Sequence, residues 1–122
     1  MEAKANNRLE AKALKRYIRS SPRKMRLVID LIRGKSVEEA LAMLKFTPKH
    51  AAQDAEKVLK SAKANLIAKN EGITIDASDM YVSRAFVDQG PVAKRVLPAP
   101  MGRAYRVRKR SHHLTIIVSS KY

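Results

Sequence analysis

The sequence predicts an α+β fold, in which three helices pack on a three-stranded antiparallel sheet and two of the strands are drawn out into a long protruding β-hairpin. Three observations carry this reading. Two apolar stripes with helical spacing meet at a short Gly-Lys-Ser junction (34–36), and a third, alanine-rich stripe follows. Short alternating segments flank that helical block on both sides. Between the last two lies VAKRVLPAPMGRAYRVRKRSHH (92–113), with seven Lys or Arg, no acid, and too much proline for a helix.

Residues 1–12 are polar and charged with no apolar stripe, and are expected to be a mobile N-terminal extension. The rest, 13–122, is expected to form one globular domain with an extended hairpin arm at about 89–112. From Ala13 to Arg19 the pattern alternates, with Leu14 and Ile18 on one side of a short strand and Lys15, Tyr17 and Arg19 on the other. In SSPRKMRLVIDLIRGK, Ser21 is placed to cap a helix, Pro22 suits its first position and Gly34 its end. Met25, Val28, Ile29 and Ile32 fall at i, i+3, i+4 and i+7 and form one buried face. Ser36 and Glu39 then make an S-x-x-E capping box for a second helix, with Val37, Ala40, Leu41 and Leu44 as its stripe. A third helix opens at Thr47-Pro48 and runs to about Lys69, with Ala51, Ala55, Val58, Leu59, Ala62 and Leu66 facing the core, and Asn70 to Gly72 end it. MYVSRAFVD (80–88) and HLTIIVS (113–119) read as strands, the latter with Leu114, Ile116 and Val118 on one face. If the stretch between them extends their hairpin, each arm of about 12 residues reaches roughly 40 Å, well beyond the radius of so small a domain.

Lys and Arg number 26 against 11 Asp and Glu, a net charge of +15, which points to a polyanionic partner, nucleic acid first. A two-stranded ribbon is marginal in water, so phosphates along both legs would supply the order that a second layer supplies elsewhere. The leg cations are Lys94, Arg95, Arg103, Arg106, Arg108, Lys109 and Arg110, and no Asp or Glu occurs from Gln89 onward. A second basic cluster, Lys15, Arg16, Arg19, Arg23, Lys24 and Arg26, surrounds the start of the first helix, where free N–H groups favour anions.

Other chemistries find little support. Cysteine is absent, which excludes disulfides and thiolate chemistry. His112 and His113 are adjacent and point to opposite faces of a strand, which suits a hydrogen bond to phosphate or base better than a metal. Asp76, Asp79, Glu38 and Glu39 lie near no nucleophile, and no glycine-rich phosphate loop occurs, so neither catalysis nor a cofactor is expected. The few aromatic residues are not spaced as a base-stacking sheet platform. No secretory h-region or membrane-length apolar run appears, so a cytoplasmic protein without a membrane partner is expected.

The blocks SPRKMRLVIDLIRGKSVEEAL, FTPKHA, KVLKSAKANL, VDQGP, AKRVLPAPMGRA and KRSHHLTIIVS, in this order, resemble the universal large-subunit ribosomal protein family number twenty-two, over residues 10 to about 120. The resemblance implies the fold deduced above and a structural role in the ribosome: binding 23S rRNA, aiding subunit assembly, and lining the polypeptide exit tunnel with the hairpin tip. Other large-subunit proteins near the tunnel, the nascent polypeptide and macrolides are the further partners it implies. Ser21, Pro22, Arg23 and Lys24 match the family's SPRK, and Lys109, Arg110 and His113 match its basic block before the last strand. The tip it implies comprises Ala93, Lys94, Arg95, Pro98, Ala99, Pro100, Met101, Gly102 and Arg103. Three departures stand out. Residues 1–9 precede the family's usual start; Ala93 replaces a bulkier apolar residue; and Ala99, Pro100 and Met101 stand where basic residues are common. The alternative from another class is an architectural DNA binder whose proline-tipped arm enters a minor groove. Cations spread along both legs rather than gathered at the tip favour RNA. A basic membrane-surface protein would need an apolar stripe outside the core helices, which is missing.

Overall fold

A computed structural model describes residues 9–70, 77–98, 100–102 and 104–120. The elements run β1 (Glu10–Ile18), α1 (Pro22–Ile32), α2 (Val37–Phe46), α3 (Ala51–Lys69), β2 (Met80–Pro98) and β3 (Ala104–Ser120). Single 3₁₀ turns, Ala77–Asp79 and Pro100–Gly102, precede β2 and join β2 to β3. The sheet order is β1-β3-β2 with both pairs antiparallel, so the segment richest in Leu, Ile and Val is the central strand. The fold class is the one the sequence predicts.

The helices cover one face of the sheet. α3 lies on β1 and β3, α1 lies on β2, and α2 packs against both helices. Met25, Val28, Ile29 and Ile32 are all fully buried, each contributing roughly 1.5–3 kcal/mol relative to exposure. The small side chains of Ala51, Ala52, Ala55 and Ala62 let α3 approach its neighbours closely, and Leu114, Ile116 and Val118 meet the helices from the sheet.

The caps differ from expectation in two places. Ser21 occupies the N-cap position of α1 with extended backbone, yet its side chain makes no capping bond; Pro22 starts the helix and Gly34 follows it at φ 82°. At α2 the capping hydroxyl is engaged, with Glu39 N–H donating to Ser36 Oγ at 3.3 Å. The predicted start of α3 at Thr47 is early. Thr47 instead terminates α2, its hydroxyl donating to Met43 O at 2.5 Å, and the helix begins at Ala51.

β1 begins at Glu10, so residues 10–12, assigned above to the extension, pair with Ser119, Val118 and Ile117; residues 1–8 lie outside the described residues. Leu14 and Ile18 do not share a face. Ala11 and Ala13 face the helices and Leu14 is 45 % exposed; a bulge after Lys15, with Tyr17 at φ 56°, returns Ile18 to the core. Such a backbone conformation costs an aromatic residue roughly 1–3 kcal/mol.

β2 and β3 continue past the core as a ribbon. A second irregularity, between Gln89 and Val92, marks the change, after which the register runs from Val92 opposite Arg110 to Pro98 opposite Ala104. Gly90 is required there by close approach: a Cβ would stand 2.8 Å from Ser111 Oγ and 3.3 Å from the Ser111 carbonyl carbon. Pro91, which has no N–H to give a ladder, is accommodated at the same bulge, and its carbonyl accepts from Ser111 Oγ at 2.7 Å.

Both edges of the sheet are capped by side chains from the covering helices or, for Arg33, from the C-cap of α1. On β2, Arg33 donates to Ala85 O (2.7 Å) and Arg26 to Val87 O (3.2 Å). On β1, Lys69 donates to Glu10 O and Asn65 to Lys12 O, each at 3.0 Å.

Candidate nucleic-acid interface

At the foot of the ribbon, Arg19 of the cluster before α1 meets Arg108, Lys109 and Arg110 of the ribbon. An open groove of about 930 Å³ separates the β1–α1 junction from the ribbon base. Arg19, Ser20 and Ser21 form one wall, and Arg108, Lys109 and Arg110 with Val92 and Ala93 form the other. Its four cations are exposed and no acid lines it. Arg23 and Lys24 stand exposed in the first turn of α1, ahead of Met25, whose amide makes the helix's bond to Ser21 O at 3.3 Å. Arg19, Arg108, Lys109 and Arg110 thus line one space together with Ser21, the residue that precedes α1, an arrangement suited to phosphate.

The ribbon adds charge without counter-charge. Lys94 lies directly opposite Arg108, both exposed, a pairing that is destabilising unless an anion comes between them. Arg95 is opposite Val107 and Arg106 opposite Val96, while Arg103 and Ala99 lie outside the described residues. The ion pairs among the described residues, Lys15–Asp54, Arg33–Asp30 and Lys60–Glu56, all lie away from the ribbon. At the turn, Met101 adopts φ 63° and is 94 % exposed, followed by Gly102 at φ 73°.

Three sequence-predicted residues are positioned differently from the rest. Lys15 points to the helix layer, where its Nζ meets Asp54 Oδ1 at 2.7 Å, so its charge is met within the chain. Arg26 caps the β2 edge. His112 is fully buried, its Nδ1 3.0 Å from Ser20 O, and is removed from the candidate contacts. The signal was available: His112 shares strand parity with Leu114, Ile116 and Val118. His113, on the opposite face, accepts the Tyr17 amide at Nδ1 (3.0 Å). Arg16 is exposed on that uncovered face, where Lys12 and Arg84 flank Ile117 from the two sides. Sequence reasoning missed Lys12 and Arg84, because their meeting depends on a register that no local pattern encodes.

A basic groove fed by a cationic ribbon fits many nucleic-acid binders; the arrangement of the whole chain narrows the choice. The family described as ribosomal protein L22p/L17e matches residues 13–119. The chain belongs to that family. It is a structural constituent of the large ribosomal subunit rather than an enzyme, and as such associates with rRNA and ribosomal proteins. Among its relatives, the large ribosomal subunit protein uL22 of Desulforamulus reducens is 52 % identical over 113 residues, covering 93 % of this chain and 97 % of the relative. The uL22 protein of a Thermoanaerobacter species is 54 % identical, covering 93 % and 99 %. That of Heliobacterium modesticaldum is 52 % identical over 121 residues, covering 99 % of this chain and 81 % of the relative. Family membership replaces the DNA-binding alternative. Among the described residues, no helix is long and apolar enough to cross a membrane.

Proposed function

We propose that this chain binds 23S rRNA through the groove and ribbon, supports assembly of the large subunit, and lines the polypeptide exit tunnel with the hairpin tip. The observation that carries the reading is the opposed pair Lys94 and Arg108, on a two-stranded ribbon with no second layer and no counter-charge among the described ion pairs. RNA phosphate supplies both missing parts, and release of its counterions drives the contact. The rRNA contacts are Arg16, Arg19, Arg23, Lys24, Lys94, Arg95, Arg103, Arg106, Arg108, Lys109, Arg110 and His113; Lys15 and Arg26 contribute only to the local potential. Other large-subunit proteins near the tunnel neighbour the ribbon. The tip, with its outstanding Met101, meets the nascent polypeptide and macrolides. Photoreactive residues introduced at Arg108 and at Met101 of translating ribosomes test both halves. The expected adducts are to 23S rRNA from position 108 and to the nascent chain from position 101. Adducts only to protein from 108, or none to nascent chains of any length from 101, would overturn the corresponding half.

A further inference from the structure

The face of the sheet turned away from the helices holds a depression of about 310 Å³ lined by Leu14, Arg16, Tyr17, Asp88, His113 and Thr115. We infer that this depression receives one unstacked guanosine of an RNA strand, at a site that adjoins the groove and shares Tyr17 with it; the inference rests on the rRNA-binding reading above. Leu14 and Thr115 are directly paired across β1 and β3, and Asp88 and His113 across β2 and β3, so the floor and the polar wall are fixed by the ladder.

The aromatic wall is held in place from two directions. The Tyr17 amide donates to His113 Nδ1, and the two rings meet edge to face, with centroids 5.0 Å apart and planes at 89°. Whichever ring presents its edge, at least one face of Tyr17 remains open, and the residue is 62 % exposed. A left-handed φ of 56° is kept at this aromatic position although the bulge could have been built around glycine. An exposed, oriented tyrosine face is a surface on which any base can stack.

Asp88 selects among the bases. It is an exposed carboxylate in a chain of net charge +15, with no hydrogen bond or ion pair among the described residues. A carboxylate repels phosphate, so beside a bound strand it is best matched by a base edge that donates. Guanine presents N1–H and N2–H side by side, a match for the two oxygens of one carboxylate; adenine and uracil each offer a single N–H on that edge. Arg16 stands in the same depression to meet the strand's phosphate, and its charge disfavours a partner's arginine as the occupant.

The test uses the full chain and fluorescent heptaribonucleotides of uridine with a central guanosine, inosine or adenosine. Binding of the guanosine heptamer is expected to be about tenfold or more tighter than that of the adenosine heptamer, with inosine, lacking the second donor, between them. Asp88→Asn is expected to reduce the guanosine preference to within about twofold while leaving adenosine-heptamer binding and its salt dependence in place, and Tyr17→Leu to weaken all three by a similar factor. Equal binding of the three oligomers by the unaltered protein, or a guanosine preference that survives Asp88→Asn, would overturn the inference while leaving the rRNA reading standing. Loss of salt-dependent binding to every oligomer and to 23S rRNA would instead remove the reading itself. Displacement by guanosine monophosphate as effective as by the heptamer, or Asp88-dependent capture of an arginine-rich peptide, would replace the RNA strand with a free nucleotide or a protein partner.

Discussion

Gly90 shows how a single missing side chain can shape the molecule. Its role comes from contact: a Cβ would press on Ser111 Oγ and on the Ser111 backbone. Gly90→Ala is therefore expected to lower the free energy of unfolding by about 1–3 kcal/mol, measured by urea denaturation. The double variant Gly90→Ala with Ser111→Ala should lose less than the sum of the single losses, because removing Oγ relieves the closest contact. Strict additivity would show that the two positions do not press on each other. Residues of this kind are half legible in a sequence. Gly90-Pro91 marks a break in the strand pattern, but only the register shows that Ser111 stands opposite it. Tyr17 was less legible still. Nothing in AKALKRYIRSS announces a left-handed residue, and without that bulge Leu14 and Ile18 seem to share a face when they do not.

Among the elements, the helices were the most legible. Met25, Val28, Ile29 and Ile32 on α1 and Val37, Ala40 and Leu44 on α2 are buried as their spacing requires, because periodicity is a local property. The strand and helix starts that were misplaced depend on distant or competing partners: Glu10 to Lys12 become strand by pairing with the end of β3, and Thr47 bonds back to α2 instead of opening α3. The ribbon was legible in composition and in connection, and its foot was not. Since the core-cluster residues of β2 and β3 nearest the ribbon are Val87 and Leu114, the ribbon adds no side chain to that cluster among the described residues. Deleting residues 92–104 is thus expected to preserve the helical circular dichroism and to shift the midpoint of thermal unfolding by only a few degrees, roughly what a 1 kcal/mol change produces in a domain of this size. An unfolded deletion variant would mean that the ribbon's pairing holds the core together.

For the whole molecule, closure is as informative as charge. A three-stranded sheet has two edges, and an exposed edge invites pairing with another chain. Here the outward carbonyls of β2 receive Arg26 from α1 and Arg33 from its C-cap, and those of β1 receive Asn65 and Lys69 from α3. Two of the arginines in a strongly basic chain thereby serve the sheet. The double variant Arg26→Ala with Arg33→Ala should form dimers and larger species at micromolar concentration without RNA, detected by light scattering. Arg23→Ala with Lys24→Ala removes the same charge from the first turn of α1 and should remain monomeric; if both variants behave alike, net charge rather than edge capping keeps the chain apart.

The bulge at Gly90 and Pro91 is also the fulcrum of a lever. From Val92 to Pro98 the ribbon extends about 20 Å, so a tilt of only 10° at its foot carries the tip sideways by about 3.5 Å, roughly three quarters of one strand spacing. The aim of the tip is therefore set where the ribbon leaves the sheet, by one glycine, one proline carbonyl and one serine hydroxyl, far from anything the tip itself would touch.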